Sequence, residues 1–204
     1  PFVQQDGPIR YSAVFAYRSR PAAPASKEAA DFLRKTQPRL DQADVEKADG
    51  VRHEVDSWND RTDQSEAWYA GSERLDNSSA LLGGAPGIRA HPTGGGAAQS
   101  FPELTWLSPD DYQGGIRQGE TTIAVFRHLF QGDEQVSAGF LILFSTEATV
   151  YIDTATHLPL ALKTSRYTLT YKYSPAPAHL ELPPEYKEAY QTYQDRLHSI
   201  PPPP

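Results

Sequence analysis

Residues 9–18 alternate, with Ile9, Tyr11, Ala13, Phe15 and Tyr17 on one parity and Arg10, Ser12 and Arg18 on the other. A period of two predicts a strand with one face buried and the other partly wet. From Ser26 the pattern turns helical. Ser26 is placed to cap, Glu28 falls in the first turn, and Ala29, Phe32 and Leu33 make an apolar stripe. Pro38 divides this region into two predicted helices, 27–36 and 38–48, the second mostly charged and stopped by Gly50. Alternation returns at 51–61, where Val51, His53 and Val55 oppose Arg52, Glu54, Asp56 and Trp58. This strand is expected to turn at 59–64 and pair with a strand over 65–76. Its charged face reads as a part of the sheet left uncovered.

The stretch 136–173 is expected to organise the rest. Phe140-Leu141-Ile142-Leu143-Phe144 is a continuous apolar run, the pattern of a strand covered on both faces. A polar turn leads to a strand over 148–153, and a connection containing Thr156, His157 and Pro159 leads to a long run over 160–173. With a strand over 121–130, rich in β-branched and aromatic residues, this predicts an antiparallel meander. Residues 77–100 contain Gly83-Gly84 and Gly94-Gly95-Gly96 and are expected to form a flexible loop, either a flap over a cavity or a surface insertion. Order resumes at 101–107, Ser108-Pro109-Asp110-Asp111 makes a turn, and Gly114-Gly115 breaks the chain. A helix is expected over 184–199, with Tyr186, Tyr190, Tyr193 and Leu197 along one side. An exposed proline-rich tail at 200–204 follows.

Composition narrows the class of protein. A chain of 204 residues suits a single domain, 1–204, whose core needs no disulfide or metal. The 18 prolines and 14 glycines favour strands over long helices. A net charge of -7 argues against nucleic acid, whose phosphates would be repelled. Cysteine is absent, which removes thiol catalysis, thiolate metal sites and disulfides together. It also fits an extracytoplasmic location, periplasmic or otherwise, with a signal peptide expected to have been removed before Pro1. No run approaches the ~20 apolar residues of a membrane span.

Candidate chemistry is sparse. His53, His91, His128, His157, His179 and His198 form no close ligand pair, so no metal site is expected. The glycine runs lack the spacing of a phosphate loop or a dinucleotide fingerprint, and no cofactor is expected. No nucleophile-elbow motif occurs. Asp110-Asp111 and Asp133-Glu134 fall in turns, where carboxylates are solvated, so no catalytic residue is nominated. The aromatic residues are more telling. Trp68, Tyr69, Trp106, Phe126 and Tyr151 fall on or beside predicted strands and are the candidate ligand-binding set. The alternative is that these rings only fill the core or form cross-strand pairs.

Three segments point to a family. Ala148-Thr149-Val150-Tyr151-Ile152-Asp153-Thr154-Ala155-Thr156-His157-Leu158-Pro159 is similar to the strand–turn–strand pattern of the LolA/LolB-like lipoprotein-carrier and sorting superfamily. Asp153, Thr156, Leu158 and Pro159 occupy the matching positions, with Tyr151 where tryptophan is frequent. Trp68-Tyr69-Ala70-Gly71 with Arg74 and Asp76, and the run 167–174, resemble further strands of that superfamily. Together these cover about half the chain, and they build folds, not active sites. The 27–48 region and the glycine-rich section depart from the pattern. The resemblance implies a mainly β, α+β fold: a strongly curved antiparallel sheet, an open half-barrel with helices on its concave face. Asp153 and Thr156 are expected to bond turn backbone groups, and Pro159 to set the entry to the next strand.

Two functions follow from these observations. The first is a non-enzymatic extracytoplasmic binding protein that holds an apolar or lipid-like ligand, or a segment of an envelope protein, in the concave sheet. The second is an envelope structural or regulatory protein of the same fold, docking partners through its tyrosine-lined helix and tail. A hydrolase ranks third, since it would need a buried, shifted cluster that sequence cannot display.

Overall fold

The computed structural model describes residues 2–3, 6–18, 27, 40–59, 61–77, 87–93, 99–130 and 147–199. All but Lys27 of the helix expected over 27–36, the apolar run 140–144, Asp133-Glu134, the tail 200–204 and most of the glycine-rich loop lie outside the described residues.

Among the described residues, eleven strands form one antiparallel sheet. They are β1 (Ile9–Tyr17), β2 (Leu40–Ala48), β3 (Val51–Trp58), β4 (Asp63–Ala70), β5 (Glu73–Asp76), β6 (Arg89–Pro92), β7 (Tyr112–Gln118), β8 (Thr121–Leu129), β9 (Glu147–Asp153), β10 (Pro159–Thr164) and β11 (Tyr167–Tyr173). Helix α1 (Pro184–Ser199) follows, with bounds matching the expectation. The spatial order is β6-β5-β4-β3-β2-β1-β11-β10-β9-β8-β7. Two meanders therefore meet where the first and last strands pair, Tyr11 opposite Tyr173 and Tyr17 opposite Tyr167.

The largest correction concerns 38–48. In place of a charged surface helix, residues 40–48 are β2, hydrogen-bonded between β1 and β3. Ala43, Val45 and Lys47 are buried on one face, and Asp44 and Glu46 lie on the other. Gly50 stops no helix. Asp49 and Gly50 have φ of 52° and 76° and join Ala48 to its partner Val51. Positive φ at both central residues is the geometry of a type I′ hairpin turn, for which Asp-Gly is a preferred pair. Gly114-Gly115 likewise does not break the chain. It lies within β7, where a register shift between Tyr112 and Gly114 and a φ of 122° at Gly114 mark a bulge. The run 65–76 is two strands, separated at Gly71 (φ 61°), and 160–173 divides at Ser165-Arg166. Residues 89–92, inside the expected loop, form edge strand β6.

The Asp153 turn is built as expected. Asp153 Oδ1 accepts from Ala155 N at 2.8 Å, Thr156 Oγ1 accepts from Leu158 N at 3.4 Å, and Pro159 opens β10 opposite Ile152.

The pleat sends alternate residues to two differently covered faces. The main core gathers Tyr11, Ala13 and Phe15 of β1, Ala43 and Val45 of β2, Leu169 and Tyr171 of β11, Leu162 of β10, Val150 and Ile152 of β9, and Phe126 of β8. Phe101 and Leu104, from the short 3-10 turn Pro102–Leu104, belong to the same core. A smaller core lies on the opposite face of β4–β6, where Trp68, Ala70 and Leu75 pack under Tyr186, Ala189 and Tyr190 of α1. The tyrosine stripe of α1 is thus spent largely on its own sheet.

Candidate functional site

The face carrying the main core changes character across the sheet. Over β1 and β8–β11 it is an apolar floor of aliphatic side chains and tyrosine rings. Tyr11 stacks on Phe101 at 5.0 Å and meets Tyr171 at 5.7 Å, and Phe15 meets Tyr167 at 5.4 Å. Most of these phenols are bonded: Tyr11 donates to Ser100 O at 2.8 Å, Tyr17 to Leu40 O at 3.0 Å, and Tyr173 to Pro159 O at 2.6 Å. Buried hydroxyls with partners let an aromatic floor carry polar atoms at no net penalty.

From β2 to β5 the same face becomes ionic. Register places Lys47 opposite Arg52, Arg52 opposite Tyr69 and Tyr69 opposite Arg74, while Glu54 faces Ala67 and Ala67 faces Asp76. Arg52 is 4% exposed, ion-paired with Glu54 and seated over the Tyr69 ring, 4.7 Å from its centroid. Burial alone would lower its pKa, but Glu54 and the other acidic groups around it outweigh that and hold the guanidinium charged. Arg74 Nε lies 2.8 Å from Asp76.

Burial shifts three carboxyl and amino groups here. Glu103, 3% exposed, is raised mainly by desolvation, which outweighs the hydrogen bond its Oε1 accepts from Tyr171 at 2.7 Å. Lys47 is lowered by desolvation, and its Nζ lies 3.4 Å from Ser100 Oγ. Asp56 is pushed up to about 7, first by burial and then by Glu54, its neighbour on the same face of β3. Asp56 Oδ1 and Arg52 Nε are buried without a hydrogen-bond partner.

The candidate rings are distributed over both faces. Phe126 is fully buried in the main core, touching Phe2 at 5.0 Å and Tyr112 at 5.4 Å. Trp106 packs against that core through Phe130 at 5.9 Å and donates Nε1–H to Glu103 O at 2.8 Å. Tyr69 is on the same face but at the ionic end. Trp68, adjacent to it on β4, points the other way: it stacks on His53 at 4.1 Å, donates to Glu66 at 2.8 Å and lies under Tyr186. Tyr151, between buried Val150 and Ile152, also projects to the opposite face, where Lys163 Nζ sits 4.9 Å from its ring centroid. The structure therefore brings Trp106, Phe126 and Tyr69 to one face and leaves Trp68 and Tyr151 on the other.

Elsewhere, His128 Nδ1 meets Asp111 Oδ1 at 2.7 Å, but Asp111 also caps the 3-10 turn Pro109–Asp111 by accepting from Ser108 N. This is a structural role for a turn carboxylate. Among the described residues no cluster of three or more metal-ligating side chains occurs, and no helix is long and apolar enough to cross a membrane. A recess of about 900 Å³ opens between β6 and α1 and is lined by Ala90, Ala189, Tyr193, Leu197, Arg89 and Glu188.

No family model matches the chain, nor does any curated protein. Among solved structures it resembles the lipoprotein LppX of Mycobacterium tuberculosis. The match covers 86% of this chain and 89% of LppX, with 10% identity and a TM-score of 0.40.

Sequence reasoning did not nominate the ionic residues. The alternation of Arg52, Glu54 and Asp56 was the available signal: three charges of one parity in a strand share a face. Charge alone marks such a face as uncovered, whereas in the structure it is the one that continues the core.

Proposed function

We propose that the protein is a non-enzymatic, extracytoplasmic binding protein for an amphiphilic, lipid-like molecule, held against the core face of its sheet. One observation carries this reading. A single continuous face joins an apolar floor on β1 and β8–β11 to an ionic patch on β2–β5. An amphiphile has the same division along its length. Its chain would lie on the floor near Phe126 and Trp106, and its polar end would meet Tyr69, Arg52 and Arg74. In this reading the sheet wraps the ligand as an open half-barrel, in the manner of the lipoprotein-carrier superfamily. Trp68 and Tyr151 serve stability, through α1 and through Lys163 respectively.

Native mass spectrometry of the protein purified without detergent is expected to show a bound mass that solvent extraction releases as an acyl-chain compound. Adding a long-chain acyl probe to extracted protein should shift the emission of Trp106, assigned by its loss in Trp106→Phe. A protein that carries nothing and shows no emission change with acyl probes of any head group would refute the reading.

A further inference from the structure

The two edges of the sheet are treated differently. Edge strand β6 is four residues long, ends in Pro92 and has α1 beside it. Short length, proline and a covering helix are the usual means of keeping a sheet edge from pairing with another chain. Among the described residues, edge strand β7 has none of them. It spans seven residues, Tyr112-Gln113-Gly114-Gly115-Ile116-Arg117-Gln118, with no proline, lysine or carboxylate, and nearly all of it is exposed. Ile116 is 48% exposed, and of the large apolar side chains exposed among the described residues, Phe2, Tyr112, Ile116 and Leu129 all belong to this end of the sheet. The bulge is confined to the start of the strand, so 114–118 runs in regular register with β8.

We infer that β7 is a self-association surface: two copies of this chain pair β7 to β7, antiparallel, about a two-fold axis at Ile116. The occupant is argued from the strand itself. An unpaired strand edge offers alternating N–H and C=O groups that only another extended strand can satisfy along its length. The regular stretch 114–118 is centred on Ile116, so a two-fold axis there pairs all five residues with their own copies. Opposite residues in an antiparallel pair project to the same face. Ile116 then meets Ile116, covering the exposed apolar side chain. Arg117 falls opposite Gly115 and Gln118 opposite Gly114, so each long side chain lies over a residue that has none. No like charges face each other directly. The two Arg117 side chains stand on a diagonal, each turned back on its own chain through Nε–H donated to Gly119 O at 3.2 Å. Such an isologous contact closes as a dimer.

The test uses the full chain, whose lack of cysteine makes it clean. Sedimentation equilibrium should show a concentration-dependent dimer. Ile116→Lys places two ammonium groups across the axis and should shift the equilibrium roughly tenfold or more toward monomer, with unchanged circular dichroism and melting. Paired antiparallel residues have Cα atoms about 4.5–5.5 Å apart, within disulfide range. Ile116→Cys should therefore cross-link under mild oxidation, and Lys172→Cys, exposed in mid-sheet on β11, should not. A wild-type monomer at every concentration, with Ile116→Cys linking no faster than Lys172→Cys, would overturn the inference and leave β7 to a foreign strand or to none. A dimer indifferent to Ile116→Lys would overturn it too, by placing the interface elsewhere.

Discussion

Replacing Asp56 with asparagine is expected to stabilise the fold at pH 8 and to flatten its dependence on pH. Asp56 is raised from its ordinary value of 3.8 to about 7, because burial and the neighbouring Glu54 carboxylate disfavour its charged form, against partial relief from Arg74 and Arg52. An acid whose pKa is higher in the folded state binds its proton more tightly there. The stability it contributes is therefore complete below about pH 3.8 and is lost as pH rises through about 7. At about 1.4 kcal/mol per pH unit, this interval corresponds to at most about 4 kcal/mol, less whatever solvent screens. Asparagine keeps the shape and can donate an amide hydrogen to Glu54, but it never ionises. Urea denaturation at pH 5 and pH 8 should show wild type losing stability over this range while Asp56→Asn loses much less. If the asparagine variant proves weaker than wild type at pH 8, burial of the carboxylate is not what shifts it.

The parts of the fold that were legible in sequence are those where local pattern and tertiary surroundings agree. β1 carries an apolar residue at every odd position from 9 to 17, and that face is the one turned to the core. α1 repeats Tyr186, Tyr190, Tyr193 and Leu197 at helical spacing; Tyr186 and Tyr190 pack on Trp68 and Leu75, while Tyr193 and Leu197 line the recess beside β6. The Asp153–Pro159 turn has residues that can form only a few local bonds, and they form them. β2 was illegible because its residues, Asp-Gln-Ala-Asp-Val-Glu-Lys-Ala, are composed like a surface helix. Two neighbours in the sheet overrule that preference, since hydrogen bonds to β1 and β3 and the burial of Ala43 and Val45 reward extension. The competing signal was Asp49-Gly50, read as a helix stop when it is a hairpin turn. The site was harder still. Parity alone separates Trp68 from Tyr69 and turns Tyr151 away from Val150. The burial of Arg52, however, comes from neighbours on β2 and β4 and part of its charge balance from the distant Glu103, and no window of sequence contains that.

Removing Arg52 should have the other large effect. Arg52 is the guanidinium that Glu54, Asp56 and Glu103 share as a counter-charge: it ion-pairs with Glu54 and lowers the pKa values of Asp56 and Glu103. Arg52→Met keeps the length of the stem over Tyr69 but leaves Glu54 without its ion-pair partner and Asp56 with Arg74 alone. Breaking one side of a buried ion pair costs about 3–5 kcal/mol, because the orphaned charge keeps its desolvation penalty. Removing both charges costs far less, so adding Glu54→Gln to Arg52→Met should restore most of the loss, with a favourable coupling measurable by a double-mutant cycle. The recovered double variant separates stability from binding. If the ionic patch holds the polar end of an amphiphile, this variant should fold, keep its apolar floor and still bind acyl chains, while losing preference among head groups. Equal head-group preference in wild type and double variant would mean that the patch serves only the fold, and would leave the floor as the whole of the binding surface.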